Sequence, residues 1–136
     1  MTKHDTVIIC GDFGGVWVKD ESVRGKGGWK EEKNHLDWLA DKPFTTVFVD
    51  GNHENFQRLG RFQIDEWNGG KVHRIRPYIL HLMWGQVFTI EGEKYFVFGG
   101  ASSHDIGHGI LDDICMMLAD HVRRLKVIIG CCLYDA

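Results

Sequence analysis

Two short segments of this chain place oxygen- and nitrogen-bearing side chains directly after an apolar run. The first, VIICGD, ends at Asp12, and the second, VFVDGNH, ends with Asn52 and His53. Carboxylate and amide oxygens are the ligands that hard divalent cations prefer, and imidazole suits the softer transition metals. The residue types therefore predict a metal site built from Asp12 and Asn52, with an imidazole beside it.

The elements around these segments would bring them together. Thr6–Cys10 and Thr45–Val49 are continuous apolar runs of the kind found in strands that are buried on both faces. Residues 29–41 between them predict an amphipathic helix, which ends before Pro43. This order predicts a βαβ unit with parallel strands, and the carboxyl ends of such strands open into one crevice where ligands bind.

The second half of the chain predicts short strands, with a helical segment near the end. We expect residues 54–62 to form a short helix whose N-terminal N–H groups face an anionic substrate. The turn signals around Gly85 and Gly92 separate apolar runs that predict antiparallel strands in a second sheet. These strands are expected at 71–76, 79–84, 86–90 and 94–98, followed by a helix at 112–125 and a last strand at 126–132.

The motif Gly11-Asp12, followed about forty residues later by Gly51-Asn52-His53-Glu54, resembles the calcineurin-like metallophosphoesterases of bacteria and phages. The segment YFVFGGASSHD, at residues 95–105, is also similar to that family. The resemblance covers roughly residues 5–112. It implies an α/β fold: a partial metallophosphoesterase β-sandwich, with a parallel or mixed sheet plus antiparallel strands, flanked by helices.

The resemblance also implies a reaction, the hydrolysis of phosphate mono- or diesters at a dinuclear metal site. Asp12 would bridge the two metals and Asn52 would bind one of them, with Mn²⁺, Fe, Ni²⁺ or Zn²⁺ as suitable ions. His53 would stabilise or protonate the leaving oxygen. Asp50 is the second candidate catalytic residue, because its carboxylate could orient His53. It could equally be a turn former at the end of a strand.

The chain departs from the family pattern at both ends. It lacks the Asp-x-His motif, since residues 1–6 contain only His4 and Asp5 in the reverse order, and it lacks the Gly-His-x-His motif. We therefore expect a truncated domain at residues 1–112. Residues 113–136 would be an atypical tail, either a truncated or frame-shifted gene end or a divergent helix and strand. His104 and His108 are weaker candidate ligands.

The missing motifs leave two hypotheses open. In the first, the chain is a phosphoesterase whose activity is impaired, because two metals need roughly eight to ten ligands in all. In the second, it is a catalytically inactive remnant that folds and binds at most one metal or an anion. A phosphoester, such as a nucleotide or a phosphoprotein, is the expected partner.

Composition limits the other function classes. The net charge of −3 and the pI of about 6.2 provide no electrostatic reason to bind nucleic acid or an anionic membrane. None of the four cysteines forms a C-x-x-C pair, which suits a reduced chain, and no signal peptide or membrane span is evident. We expect a cytoplasmic protein.

Several residues near these motifs have ordinary structural interpretations. Glu54 is expected in the first turn of a helix, where the dipole favours an acid. His73 and His81 fall in alternating strand patterns, so we expect them to be exposed or hydrogen-bonded. Trp17 lies closest to the predicted site in sequence and could form a wall of the substrate pocket.

Overall fold

A computed structural model describes residues 1–11, 13–51, 54–99 and 125–129 of the chain. Within these ranges it contains two helices and eight strands. In chain order they are β1 (Thr6–Cys10), α1 (Trp29–Ala40), β2 (Thr45–Val49), α2 (Phe56–Leu59), β3 (Ile64–Trp67), β4 (Gly70–Arg76), β5 (Ile79–Leu82), β6 (Gln86–Ile90), β7 (Glu93–Phe98) and β8 (Leu125–Ile129). Neither described helix is long and apolar enough to cross a membrane.

The first sheet has five strands in the order β1-β2-β5-β4-β3. β1, β2 and β5 are parallel, and α1 connects the first two of them, so the predicted βαβ unit is confirmed. β4 pairs antiparallel with β5 and with β3. The prediction that the strands after residue 70 form a separate sheet was wrong for β4 and β5. The continuously buried β5 fills the place beside β2 instead.

The second sheet has the order β6-β7-β8. β6 and β7 form an antiparallel hairpin whose turn residues, Glu91 and Gly92, have φ angles of 51° and 81°. Two positive φ angles in succession match the twist of a two-residue hairpin loop. β8 pairs in parallel with β7, so residues 125–129 are part of the sandwich. The predicted helix at 112–125 lies almost entirely outside the described residues, and the domain division at residue 112 stays a prediction.

The first sheet has apolar clusters on both faces. On one face, Val47 and Val49 of β2 pack with Leu80, Phe88 and Ile128, which closes the space between the two sheets. On the other face, side chains from the helices and loops pack against the sheet. The members of that second cluster are Val16, Leu36, Leu39, Phe48, Leu59, Ile75 and Ile79. The molecule is therefore an α/β structure of two stacked sheets with helices on one outer face.

The two helices differ in how well the sequence predicted them. α1 ends one residue before the predicted boundary and buries Leu36 and Leu39, as its pattern indicated. α2 has only four residues, and Asn55 caps it by accepting a hydrogen bond from the Arg58 N–H at 3.1 Å. The expected helix at 54–62 was therefore wrong in both bounds. A single turn has too small a dipole to form the predicted anion site.

Candidate functional site

The ends of β1 and β2 lie level with each other at one edge of the first sheet. Cys10 pairs with Val49, and the Gly11 N–H donates to the Val49 carbonyl at 3.0 Å. The two motif segments therefore leave the sheet at the same place. The predicted metal and catalytic residues Asp12, Asn52 and His53 lie outside the described residues, as do His104 and His108.

Glu54 holds the two motif loops together. One carboxylate oxygen accepts the Gly14 N–H at 3.1 Å, and the other accepts the Gly51 N–H at 2.7 Å. The residue is 5% exposed and precedes the N-cap of α2. Its expected place in the first turn of a helix was therefore wrong. Instead it serves as a clamp between the loop after β1 and the loop after β2.

A second buried carboxylate fixes the next part of the first loop. Glu32 of α1 accepts the N–H groups of Trp17 and Val18, both at 2.9 Å, and forms an ion pair of 2.7 Å with Arg58. Arg58 also donates to the Val18 carbonyl at 2.8 Å. Since a buried acid needs such partners, the arrangement fixes α1, the loop and α2 relative to one another.

Trp17 lies beside this loop with 54% of its surface exposed. It lines a cavity of about 210 Å³ together with Gly14, Gly27, Glu31, Glu32 and His35. Trp17 thus forms a wall of a cavity that borders the first motif loop, and the prediction that this cavity receives substrate stays open to test.

Asp50 lies at the end of β2 and is 1% exposed. Its Oδ1 accepts a hydrogen bond from Trp84 Nε1 at 2.8 Å and is hydrogen-bonded to His81 Nε2 at 2.5 Å. Its Oδ2 is buried and has no hydrogen-bond partner among the described residues. The burial of Asp50 disagrees with a solvent-exposed turn former. Its described partners are His81 and Trp84, and the prediction that it orients His53 stays a prediction, because His53 lies outside the described residues.

Two histidines continue inward from Asp50. His81 Nδ1 lies 3.0 Å from His73 Nδ1, and the two rings are stacked at 6° with centroids 5.3 Å apart. Both side chains are buried. Burial, reinforced by the electrostatic effect of the neighbouring His81, lowers the pKa of His73 below its usual range, although Asp50 opposes the shift.

Sequence reasoning considered these histidines separately and missed their connection to Asp50. Of the two expected alternatives, the structure shows the second: both histidines are hydrogen-bonded, and neither is exposed. The usable signal was strand periodicity, because Asp50 and Phe48 share one face of β2, and Phe48 pairs in register with His81. The pairing of β5 with β2, on which that alignment depends, could not be read from the sequence.

A cavity of about 240 Å³ adjoins this group of side chains. Its lining is Asp50, Phe56, Leu59, Gly60, His73, His81, Met83 and Trp84. Trp84 is 44% exposed, yet its indole is fixed by Asp50 and by a stacked contact with Phe98 at 5.9 Å.

The described residues contain no group of three or more His, Cys, Asp or Glu side chains that could hold a metal. Glu54 and Glu32 have their carboxylates committed to backbone N–H groups and to Arg58. A metal at this edge would therefore depend on Asp12 and Asn52, whose oxygen donors suit a divalent cation.

No family model, no curated protein and no solved structure matches this chain.

Proposed function

We propose that this chain is a metal-dependent phosphoesterase that hydrolyses phosphate mono- or diesters. The observation that carries the proposal is the clamp by Glu54, which joins Gly14 of the first motif loop to Gly51 of the second. These loops contain Asp12 on one side and Asn52 with His53 on the other. A buried acid dedicated to holding two such loops together supports a site assembled from both.

In this proposal Asp12 and Asn52 would hold the divalent cations through their carboxylate and amide oxygens. When bound, the cations supply Lewis-acid charge to the phosphoryl oxygens. His53 donates a proton to the leaving oxygen, since an imidazole titrates near neutral pH. Asp50 orients the second loop from the end of β2. Mn²⁺, Fe, Ni²⁺ and Zn²⁺ all suit mixed oxygen and nitrogen donors.

Turnover by the 136-residue chain is expected to be weak. The sequence supplies two predicted ligands, and the nearby carboxylates of Glu54 and Glu32 are engaged in hydrogen bonds. The alternative function is therefore that of a folded, catalytically inactive remnant that binds at most one metal or anion. The engagement of Glu54 and Glu32 is the observation that favours this alternative.

The test is hydrolysis of bis-p-nitrophenyl phosphate and p-nitrophenyl phosphate with added Mn²⁺. The proteins compared are the wild type, Asp12→Ala, and Asp41→Ala as a matched control at an exposed aspartate at the C-terminal end of α1. The proposal expects Mn²⁺-dependent hydrolysis that Asp12→Ala abolishes and Asp41→Ala preserves. The absence of hydrolysis in all three folded proteins would contradict it and support the inactive remnant.

A further inference from the structure

Three titratable side chains form a buried row across the first sheet. Asp50 follows β2, His81 lies on β5, and His73 lies on β4. His73 and His81 are paired in register, and so are Phe48 and His81. Because Asp50 is two residues beyond Phe48, it lies on the same face of the sheet. The row thus runs at right angles to the strands and ends beside the second motif loop.

The tautomers of the two histidines set the direction of the hydrogen bonds in this row. An ionised carboxylate only accepts, and with such an acceptor His81 would donate its Nε2–H to Asp50. A neutral His81 then has a lone pair at Nδ1, and His73 must donate its Nδ1–H to it. Burial favours a neutral His73, which agrees with its lowered pKa. In this arrangement the protons point from His73 through His81 to Asp50, and the two tautomers are what the experiment below measures.

Among the described residues, the neighbouring elements add no further charged side chain to the lining of the cavity that this row adjoins. α2 contributes Phe56 and Leu59, the following turn contributes Gly60, and the segment after β5 contributes Met83 and Trp84. None of these side chains is ionisable. Asp50, His81 and His73 are therefore the titratable groups of this cavity lining, and each has another member of the row as its partner.

The row reaches the motif loop through the backbone. Asp50 immediately precedes Gly51, whose N–H donates to Glu54 within the clamp. Two donors, His81 and Trp84, hold Asp50 Oδ1 and thereby fix the direction in which the chain leaves β2. Loss of the His81 hydrogen bond would leave Trp84 as the one described donor to this carboxylate, and the weaker hold on Asp50 should loosen the Gly51 amide.

We propose that His81 and His73 are positioning residues of the phosphoesterase site, acting through the Asp50 carboxylate on the loop that begins at Gly51. The inference rests on the proposed function, because that function makes the loop part of a reaction site. Removing residues of this kind beside a metal site typically costs about 10–100-fold in metal affinity or activity.

The experiment compares variants of the full 136-residue chain. His81→Leu removes both hydrogen bonds of the imidazole, whereas His81→Gln retains an N–H that can reach Asp50. His4→Gln is the control, because His4 is exposed in the segment before β1, away from the strand ends that carry the motif loops. The readouts are imidazole ¹⁵N chemical shifts, hydrogen exchange of the Gly51 amide, Mn²⁺ affinity by electron paramagnetic resonance, and hydrolysis of bis-p-nitrophenyl phosphate.

The wild type should show the Nε2–H tautomer at His81 and the Nδ1–H tautomer at His73. Gly51 should exchange about 10-fold faster in folded His81→Leu, whereas His81→Gln and His4→Gln should stay near the wild type. Mn²⁺ affinity and kcat should fall by about 10–100-fold in His81→Leu, with a smaller change in KM, and should stay near the wild-type values in the other two variants. If His81→Leu does not fold, His73→Phe is used instead, because this variant removes only the imidazole of His73 and keeps His81.

Three results would overturn the inference. The first is the opposite tautomer at His73 at pH 7.5, and the second is unchanged Gly51 exchange in a folded His81→Leu protein. The third is a wild type that neither binds Mn²⁺ nor hydrolyses the diester, which contradicts the proposed function and the catalytic part of this inference together. In that case Gly51 exchange still decides whether the row positions the loop.

Discussion

Replacing Glu54 by alanine tests whether the two motif loops depend on its carboxylate. The Gly51 N–H is buried, so leaving it without an acceptor costs about 1–3 kcal/mol. Gly14 is exposed and can bond to water, so its lost hydrogen bond costs only the net value of about 0.5–1.5 kcal/mol. We expect Glu54→Ala to lower the free energy of unfolding by about 2–4 kcal/mol.

The isosteric variant separates shape from charge. Glu54→Gln fills the same space and keeps one carbonyl oxygen, so it retains one of the two acceptors. We expect it to lose about 1–2 kcal/mol, because its NH₂ group faces a backbone donor. Glu66 on β3 is exposed, and Glu66→Ala and Glu66→Gln are matched controls that should change stability by less than about 0.5 kcal/mol.

Urea unfolding followed by circular dichroism measures these differences, provided that the slope m is the same for all variants. The amide resonances of Gly14 and Gly51 should shift in both Glu54 variants and in neither control. A Glu54→Ala protein within about 0.5 kcal/mol of the wild type would refute the reasoning. It would mean that the loops are held by other contacts and that the clamp does not assemble the site.

Three further predictions concern the surroundings of the site. Glu32→Ala leaves the partly buried Arg58 guanidinium without its carboxylate partner and should destabilise the fold by about 3–5 kcal/mol in urea unfolding. Burial lowers the pKa of His73, so the unfolded state binds more protons than the folded state below pH 6.5. The free energy of unfolding should therefore fall as the pH drops from 6.5 through the folded-state pKa. His73→Leu should reduce this dependence of stability on pH. In Gly99→Ala the new Cβ would lie 2.0 Å from Trp84 Nε1, so the indole must move and its N–H resonance and fluorescence should change.

Each of these predictions has a control in the same chain. The exposed Glu21 can be changed to alanine with little loss of stability, which would contrast with Glu32→Ala. His35→Leu, at an exposed histidine, is the matched control for His73→Leu. In Gly60→Ala the nearest atom to the new Cβ is the Phe56 carbonyl oxygen at 3.5 Å, an ordinary contact, so Trp84 should keep its spectrum. A shifted Trp84 signal there would contradict the packing argument.

The local elements were largely predictable because their signals are local. Continuous apolar runs identified β1 and β2, and the spacing of Leu36 and Leu39 identified α1. The turn at Glu91 and Gly92 marked the β6–β7 hairpin. β3 was missed because Asp65 and Glu66 interrupt its short apolar pattern, and its strand conformation depends on pairing with β4.

The candidate site likewise has one part that local sequence patterns predict and another part that depends on contacts between distant residues. The sequence by itself determined that Gly11 and Gly51 follow two strands of one βαβ unit, since run length and order require it. Only the tertiary structure decided that β5 lies beside β2, which brings His81 to Asp50, and that Glu54 turns back to both loops instead of entering a helix. Strand order and the partners of a buried polar group depend on contacts between residues far apart in the chain, and no local pattern encodes those contacts.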